Sequence, residues 1–227
     1  MSSAASPLRR ALAIFVPHRT VPVVPWTAKH RWDLSLKRLC ILTLGLALFG
    51  LGEAFLVQSH IGNSPWVVFS QGVSLHTPLS IGASTFVISA AVLLLWIPLG
   101  ERPGFGTIAN MFVIAIFLQL GVTIIPLVHS NIVLSIAMVL VGIGMVGMAS
   151  AFYITCGLGP GPRDGLMTAL HKKTGVRVGR VRLCVELLAL SAGIALGGRA
   201  GLGTALFALL IGNSVAIAFS IVNKFAN

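Results

Sequence analysis

The chain has 227 residues, of which 56% are hydrophobic and 9% charged, and its formal net charge is +11. A mean hydropathy of +0.96 excludes an ordinary soluble globular domain, in which about 25% of residues are charged. The basicity alone excludes little, because the placement of basic residues, not their number, separates nucleic-acid binding from membrane topology.

The chain opens with a basic tail, residues 1–38, carrying Arg9, Arg10, Arg19, Lys29, Arg31, Lys37 and Arg38. The apolar run in RRALAIFVP is too short for a secretory signal and ends at Pro17 without a small-residue cleavage site. Trp26 and Trp32 leave two readings of the tail, a solvated topology-setting segment or one lying on anionic lipid. Six apolar blocks follow: Cys40–Val57, Ile81–Leu99, Ile108–Val128, Ile132–Ile154, Val178–Gly198 and Leu202–Val222. Each is about 18–23 residues, enough to cross a hydrocarbon core of about 30 Å at about 1.5 Å per residue. They leave no room for a soluble domain. With six crossings and a cytoplasmic N-terminus, fifteen of the sixteen Lys/Arg fall on the inner side and only Arg199 on the outer. Topology therefore accounts for the charge, both termini are expected in the cytoplasm, and nucleic acid is not an expected partner. Cys40, Cys156 and Cys184 lack metal or redox spacing and the histidines lack ligand spacing, so no metal or cofactor is expected.

Displacing the sequence against itself by 97 residues, without a gap, aligns two halves, 39–128 and 132–223. Gly45 meets Gly142, Gly50 meets Gly147, Ala54-Phe55 meets Ala151-Phe152, and Gly62 meets Gly159. The most specific match is R-x-G-x-G-T, at Arg102–Thr107 and again at Arg199–Thr204. Each half reads as a long span, a Gly/Pro break with a short segment (65–76, 162–174), and two further spans. A segment of about 12 residues makes a helix of about 18 Å, too short to cross. Three crossings per half are odd in number. The expected fold is therefore all-α, six transmembrane helices as two inverted three-helix repeats, each with a short broken or re-entrant helix.

The first break, NSPW, offers Ser64 as a helix cap and Pro65 at the first helical position, with Trp66 and Gln71 following. The second, GLGPGPRDG, places Gly159 and Gly161 before Pro162, Arg163 and Asp164. Thr77-Pro78 stops the first short helix, and Gly175 can end the second in a left-handed conformation. Such breaks are either interfacial turns or paired half-helices lining a cavity, and matched breaks in two inverted halves favour the cavity. The first short helix is apolar. The second carries Arg163, Asp164, His171, Lys172 and Lys173 and is expected to be the more exposed.

Two acids fall within spans, and a charge at a helix centre costs at least ~2.5 kcal/mol on insertion scales. Glu186 has Arg182 one turn before it, so a structural ion pair and a functional role both fit. Glu53 has no local partner, its repeat mate is Ser150, and it is the candidate for proton or cation coupling. Asp164 could cap its own helix, pair with Arg163 or Arg180, or contact substrate.

GLGPGPRDGLMTAL followed by TG, and G-x-S-P-W…Q-G-x-S…T-P-L-S-I-G at 62–82, resemble the bacterial YczE/YyaS/YitT-type integral membrane family over about residues 35–222. The resemblance implies a multi-pass protein of the bacterial cytoplasmic (inner) membrane and no established substrate. It would also place an acid after Trp66 to match Asp164, where this chain has Val67.

The leading expectation is a small-molecule secondary transporter, with candidate residues Glu53, Ser64, Pro65, Trp66, Gln71, Gly159, Gly161, Arg163, Asp164 and Glu186. The alternative is a non-transporting accessory protein holding a partner through the cytoplasmic 163–182 face. The bilayer, an unidentified small molecule and a second copy of the chain are the expected partners. Enzymatic activity is not expected. RDGLMTAL is similar to the D-G motif of lipid-head-group transferases, but the further aspartates for their metal ions are absent, and the G-x-G pattern lacks a βαβ context.

Overall fold

The computed structural model describes residues 21–226. It contains α1 (Leu36–Ser59), α2 (Pro65–His76), α3 (Ile81–Leu94), α4 (Phe105–Ile124), α5 (Ile132–Thr155), α6 (Pro162–Thr174), α7 (Val178–Ala195) and α8 (Leu202–Ala226). No strand occurs among the described residues. Side-chain caps start three of these helices, Ser35 accepting from the Arg38 N–H, Ser80 from Ala83 and Asn131 from Leu134. Proline opens α2 and α6, where a missing N–H costs nothing, and Gly175 ends α6 at φ 71°.

Four helices, α1, α4, α5 and α8, are long and apolar enough to cross a membrane, or five spans if α2 and α3, bent by 113°, are counted as one. The protein is a multi-pass helical membrane protein. The difference from six apolar blocks has two causes. Helix α3 stops at Leu94, not Leu99, because residues 95–100 turn; its 14 residues extend about 21 Å. Helix α7 has 18 residues but carries Arg180, Arg182 and Glu186.

Small residues set the packing, as in membrane bundles generally. A Cβ added at Gly45 of α1 would meet the Phe152 Cβ at 2.9 Å, and one at Gly142 of α5 would meet the Phe55 Cβ at 3.3 Å. Helix α4 lies on α1 at Gly50, and α8 lies on α5 at Gly147. The short helices cross between halves, α2 onto α7 and α6 onto α3. At one crossing the Trp96 ring covers Gly165; at the 97-residue equivalent, Val68 and Phe69 cover Gly193. Large residue and glycine have changed places. Helix α3 also packs along α4, but α7 makes no such seam with α8.

The R-x-G-x-G-T turns are explained by the same exchange. The Gly106 N–H donates to the Leu158 carbonyl at 2.8 Å, and the Gly203 N–H to the Ile61 carbonyl at 2.9 Å. Thr107 and Thr204 brace their own turns from the Gly104 and Gly201 N–H groups. Each half's turn therefore grips the break loop of the other half. Gly62 (φ 127°) and Gly159 (φ 113°) sit at those contacts in backbone conformations that disfavour any side chain.

The described part of the tail is folded onto the helix ends. Val24 is buried with Ala218 and Phe219, the Trp26 indole N–H donates to the Thr155 hydroxyl at 3.1 Å, and Arg38 pairs with Asp33 at 2.7 Å. Arg9, Arg10 and Arg19 lie outside the described residues. At this end of α1, Glu101 pairs with both Arg31 and Lys172, and the Arg31 guanidinium donates to the Arg102 carbonyl. At the other end of α1, Arg199 donates to the His60 carbonyl at 3.3 Å. The 24 residues of α1 separate these ends by about 36 Å.

Candidate functional site

Helices α2 and α6 both begin at one cavity of about 150 Å³, bounded by residues from all eight helices. A cavity of about 150 Å³ can hold a benzene-sized molecule. The two breaks, 97 residues apart in sequence, therefore meet in space through their helix N-termini.

Glu53, from the C-terminal third of α1, is 2% exposed and faces Ser64, also 2% exposed. The Ser64 hydroxyl lies 2.7 and 2.9 Å from the two carboxylate oxygens. This corrects the expectation that Ser64 caps its helix. Its side chain makes no cap hydrogen bond, being turned to the buried carboxylate instead. Pro65 and Trp66 complete this edge of the cavity.

From α6, Gly161 and the side chains of Arg163 and Asp164 reach the same space. The Arg163 guanidinium lies over the Trp66 ring, 5.0 Å from its centroid, so a cation from the second half stacks on an aromatic of the first. No carboxylate among the described residues comes within 4 Å of it. The expected pairing of Asp164 with Arg163 or Arg180, or with its own helix start, gives way to another partner. The Tyr153 hydroxyl donates to the Asp164 carboxylate. Arg182 and Glu186 form the expected i, i+4 pair at 2.9 Å, and both also line the cavity.

Two candidates lie elsewhere. The Gln71 side-chain oxygen accepts from Asn63 at 2.9 Å and from the Arg199 N–H at 2.8 Å, bracing the first break against the second R-x-G-x-G-T turn. Gly159 braces the second break against Gly104 and Thr107. Sequence reasoning missed Tyr153 and Asn110 on the cavity. Tyr153 is the chain's single tyrosine and Asn110 an amide inside an apolar block; that isolation was the available signal.

A second cavity, about 310 Å³, is lined by Arg31, Gly157, Gly159 and Pro160 and shares Tyr153, Ile154 and Asp164 with the first. The Tyr153–Asp164 hydrogen bond thus stands between them, on the side where the tail docks. The equivalents of these two residues in the first half are Leu56 and Val67, 0% and 1% exposed. Among the described residues no cluster of three or more His, Cys, Asp and Glu could hold a metal ion.

The model of a family of unknown function (DUF6198) matches residues 36–220. The chain is 40% identical over 207 residues to an uncharacterized protein of Haemophilus influenzae, covering 91% of this chain and 94% of that one. It is 36% identical over 188 residues to the uncharacterized membrane protein YczE of Bacillus subtilis, covering 80% and 82%. No solved structure matches.

Proposed function

The chain belongs to the DUF6198 family of YczE-type proteins, and from that premise we propose that it is a small-molecule secondary transporter of the bacterial cytoplasmic membrane, with its site between two inverted halves. The observation that carries the reading is the cavity onto which both short helices open and into which Glu53 faces. Irregular backbone at membrane depth survives where it lines such a space, and discontinuous helices at matching places in two halves mark transporter sites.

The inverted arrangement is supported by reciprocity. When one half's turn grips the other's loop and the equivalent bond runs back, the halves are related as partners in a two-fold contact. With α1, α3, α4 and then α5, α7, α8 as the crossings, that axis lies in the membrane plane. The charges of Arg182 and Glu186 line the cavity, which favours α7 as a crossing helix despite its composition. The end bearing Arg31, Arg102, Lys172 and Lys173 is then cytoplasmic, with both termini, and Arg199 lies outside. Tyr153 and Asp164 form the inner gate, opening to the 310 Å³ vestibule, and Leu56 and Val67 belong to the closed outer side. Glu53 couples substrate movement to a proton or cation. Transport needs no covalent step, and none is assigned.

The accessory reading loses ground because Arg163, Asp164 and Glu186 turn into the cavity while Lys172 and Lys173 bind Glu101 and the Pro98 carbonyl. It retains the exposed Arg177 and Arg180. Purified full-length protein is tested for thermal stabilisation by anions, amino acids and short peptides, followed by flux in proteoliposomes. Glu53→Gln is expected to lower coupled flux at least tenfold while leaving substrate exchange. Wild-type coupled flux in that variant would remove Glu53 from the mechanism. No stabilisation by any class, with no flux, would remove the transporter.

A further inference from the structure

We propose that the ligand of the central cavity is a small oxyanion, best matched by a short-chain monocarboxylate, and that Arg163 is its anchor. The inference rests on the reading of that cavity as a transport site and names the substrate class. A guanidinium has five N–H donors and no acceptor. The Arg163 side chain makes no hydrogen bond to a described residue and has no carboxylate within 4 Å; Glu53, Asp164 and Glu186 act on its charge only across the cavity, and its ring contact is the face of Trp66, which leaves the N–H edge free. Donors left unmatched at membrane depth are costly, so the space beside them calls for an acceptor.

The cavity's own carboxylates are already engaged. Glu53 accepts from Ser64, Asp164 from Tyr153 and Glu186 from Arg182. Arg182 is held by Glu186, so Arg163 is the arginine on the cavity that has no carboxylate paired with it, and an acceptor-only head group complements its free N–H edge. A planar carboxylate fits a guanidinium edge through two parallel hydrogen bonds. The three acids and two arginines on the cavity sum to −1. The two helix N-termini that open there contribute about half a positive charge each, so a monoanion meets no net repulsion before it reaches Arg163.

Size and lining narrow the class. About 150 Å³ admits a benzene-sized molecule and not a peptide. Phe207, Ile211 and Val215 of α8 make an apolar wall, where α7 and α8 are not seamed together. That wall suits a short hydrocarbon tail and gives phosphate or nitrate nothing to bury.

The test is thermal unfolding of the purified full-length chain with butyrate, butyramide, butylamine, phosphate and nitrate, repeated as uptake into proteoliposomes. Butyrate at about a hundredfold excess over its Kd should raise Tm by about 5 °C. Butyramide and butylamine should not. Arg163→Gln should weaken butyrate binding about 10- to 100-fold, the worth of hydrogen bonds to a charged group. Should that variant fail to fold, Phe207→Trp, which narrows the apolar wall, should weaken butyrate and spare acetate. Equal stabilisation by butylamine or butyramide, or wild-type affinity in Arg163→Gln, overturns the oxyanion site. Phosphate or nitrate binding above butyrate keeps an oxyanion at Arg163 and overturns the carboxylate. Uptake of the amine or amide, without butyrate, would sink this proposal and leave the transporter standing; no uptake of any solute would sink both.

Discussion

Ser64→Ala probes the buried contact on which the site is built. The hydroxyl lies 2.7 and 2.9 Å from the two Glu53 oxygens, but it has one proton and so counts as one hydrogen bond to a charged acceptor. Both residues are 2% exposed. Such a bond is worth about 1.5–3 kcal/mol when its loss leaves the acceptor buried and unmatched. Ser64→Ala should therefore cost about 2 kcal/mol of stability. In a Glu53→Leu background, with no acceptor left to strand, the same change should cost no more than about 0.5 kcal/mol. Reversible unfolding of the four proteins in mixed micelles gives the coupling energy directly. A value below about 0.5 kcal/mol would refute the reasoning, and with it the claim that Ser64 serves Glu53 and not its own helix.

Gly62→Ala, at φ 127° and with a Cβ 2.7 Å from the Gly201 nitrogen, should cost more than about 2 kcal/mol, whereas Gly144→Ala, in mid-helix with open space around it, should stabilise by up to about 1 kcal/mol; thermal unfolding of both checks the exchanged turns. Tyr153→Phe removes the donor to Asp164, and a thiol reagent added from the tail side should then label a Ser150→Cys reporter on the cavity several-fold faster; an unchanged rate would place the gate elsewhere. Burial first, then the charges of Arg199 and His129, holds His60 below the usual histidine range. Its protonation therefore favours the unfolded chain, so stability is full above about pH 6.5 and falls on acidification below it. His60→Gln should flatten that slope between about pH 5 and 7 in thermal unfolding scans.

Much of the architecture was legible because it is local or periodic. A proline at a helix start, a glycine that must take positive φ and a continuous apolar run each act within a few residues, and the 97-residue repeat makes several of them visible twice, Pro65 with Pro162 and Gly62 with Gly159 among them. Length and composition alone support four or five of the six spans, because one helix is cut short by the turn after Leu94 and another carries three charges. Gln71 and Gly159, cavity candidates by sequence, brace the halves against each other, a role no single half displays. The bond between Ser64 and Glu53 joins residues on different helices with a break between them, and no spacing rule indicates it.

The sequence by itself determined the membrane environment, the two related halves and the places where helices must stop and restart, because hydropathy, chain reversal and backbone conformation depend on neighbours along the chain. Only the tertiary structure decided which charges are partnered and which face open space. Glu53 and Ser64 come from the first half and Arg163, Asp164 and Tyr153 from the second; their chemistry depends on distances of a few ångströms that arise when α2 and α6 cross onto the opposite half.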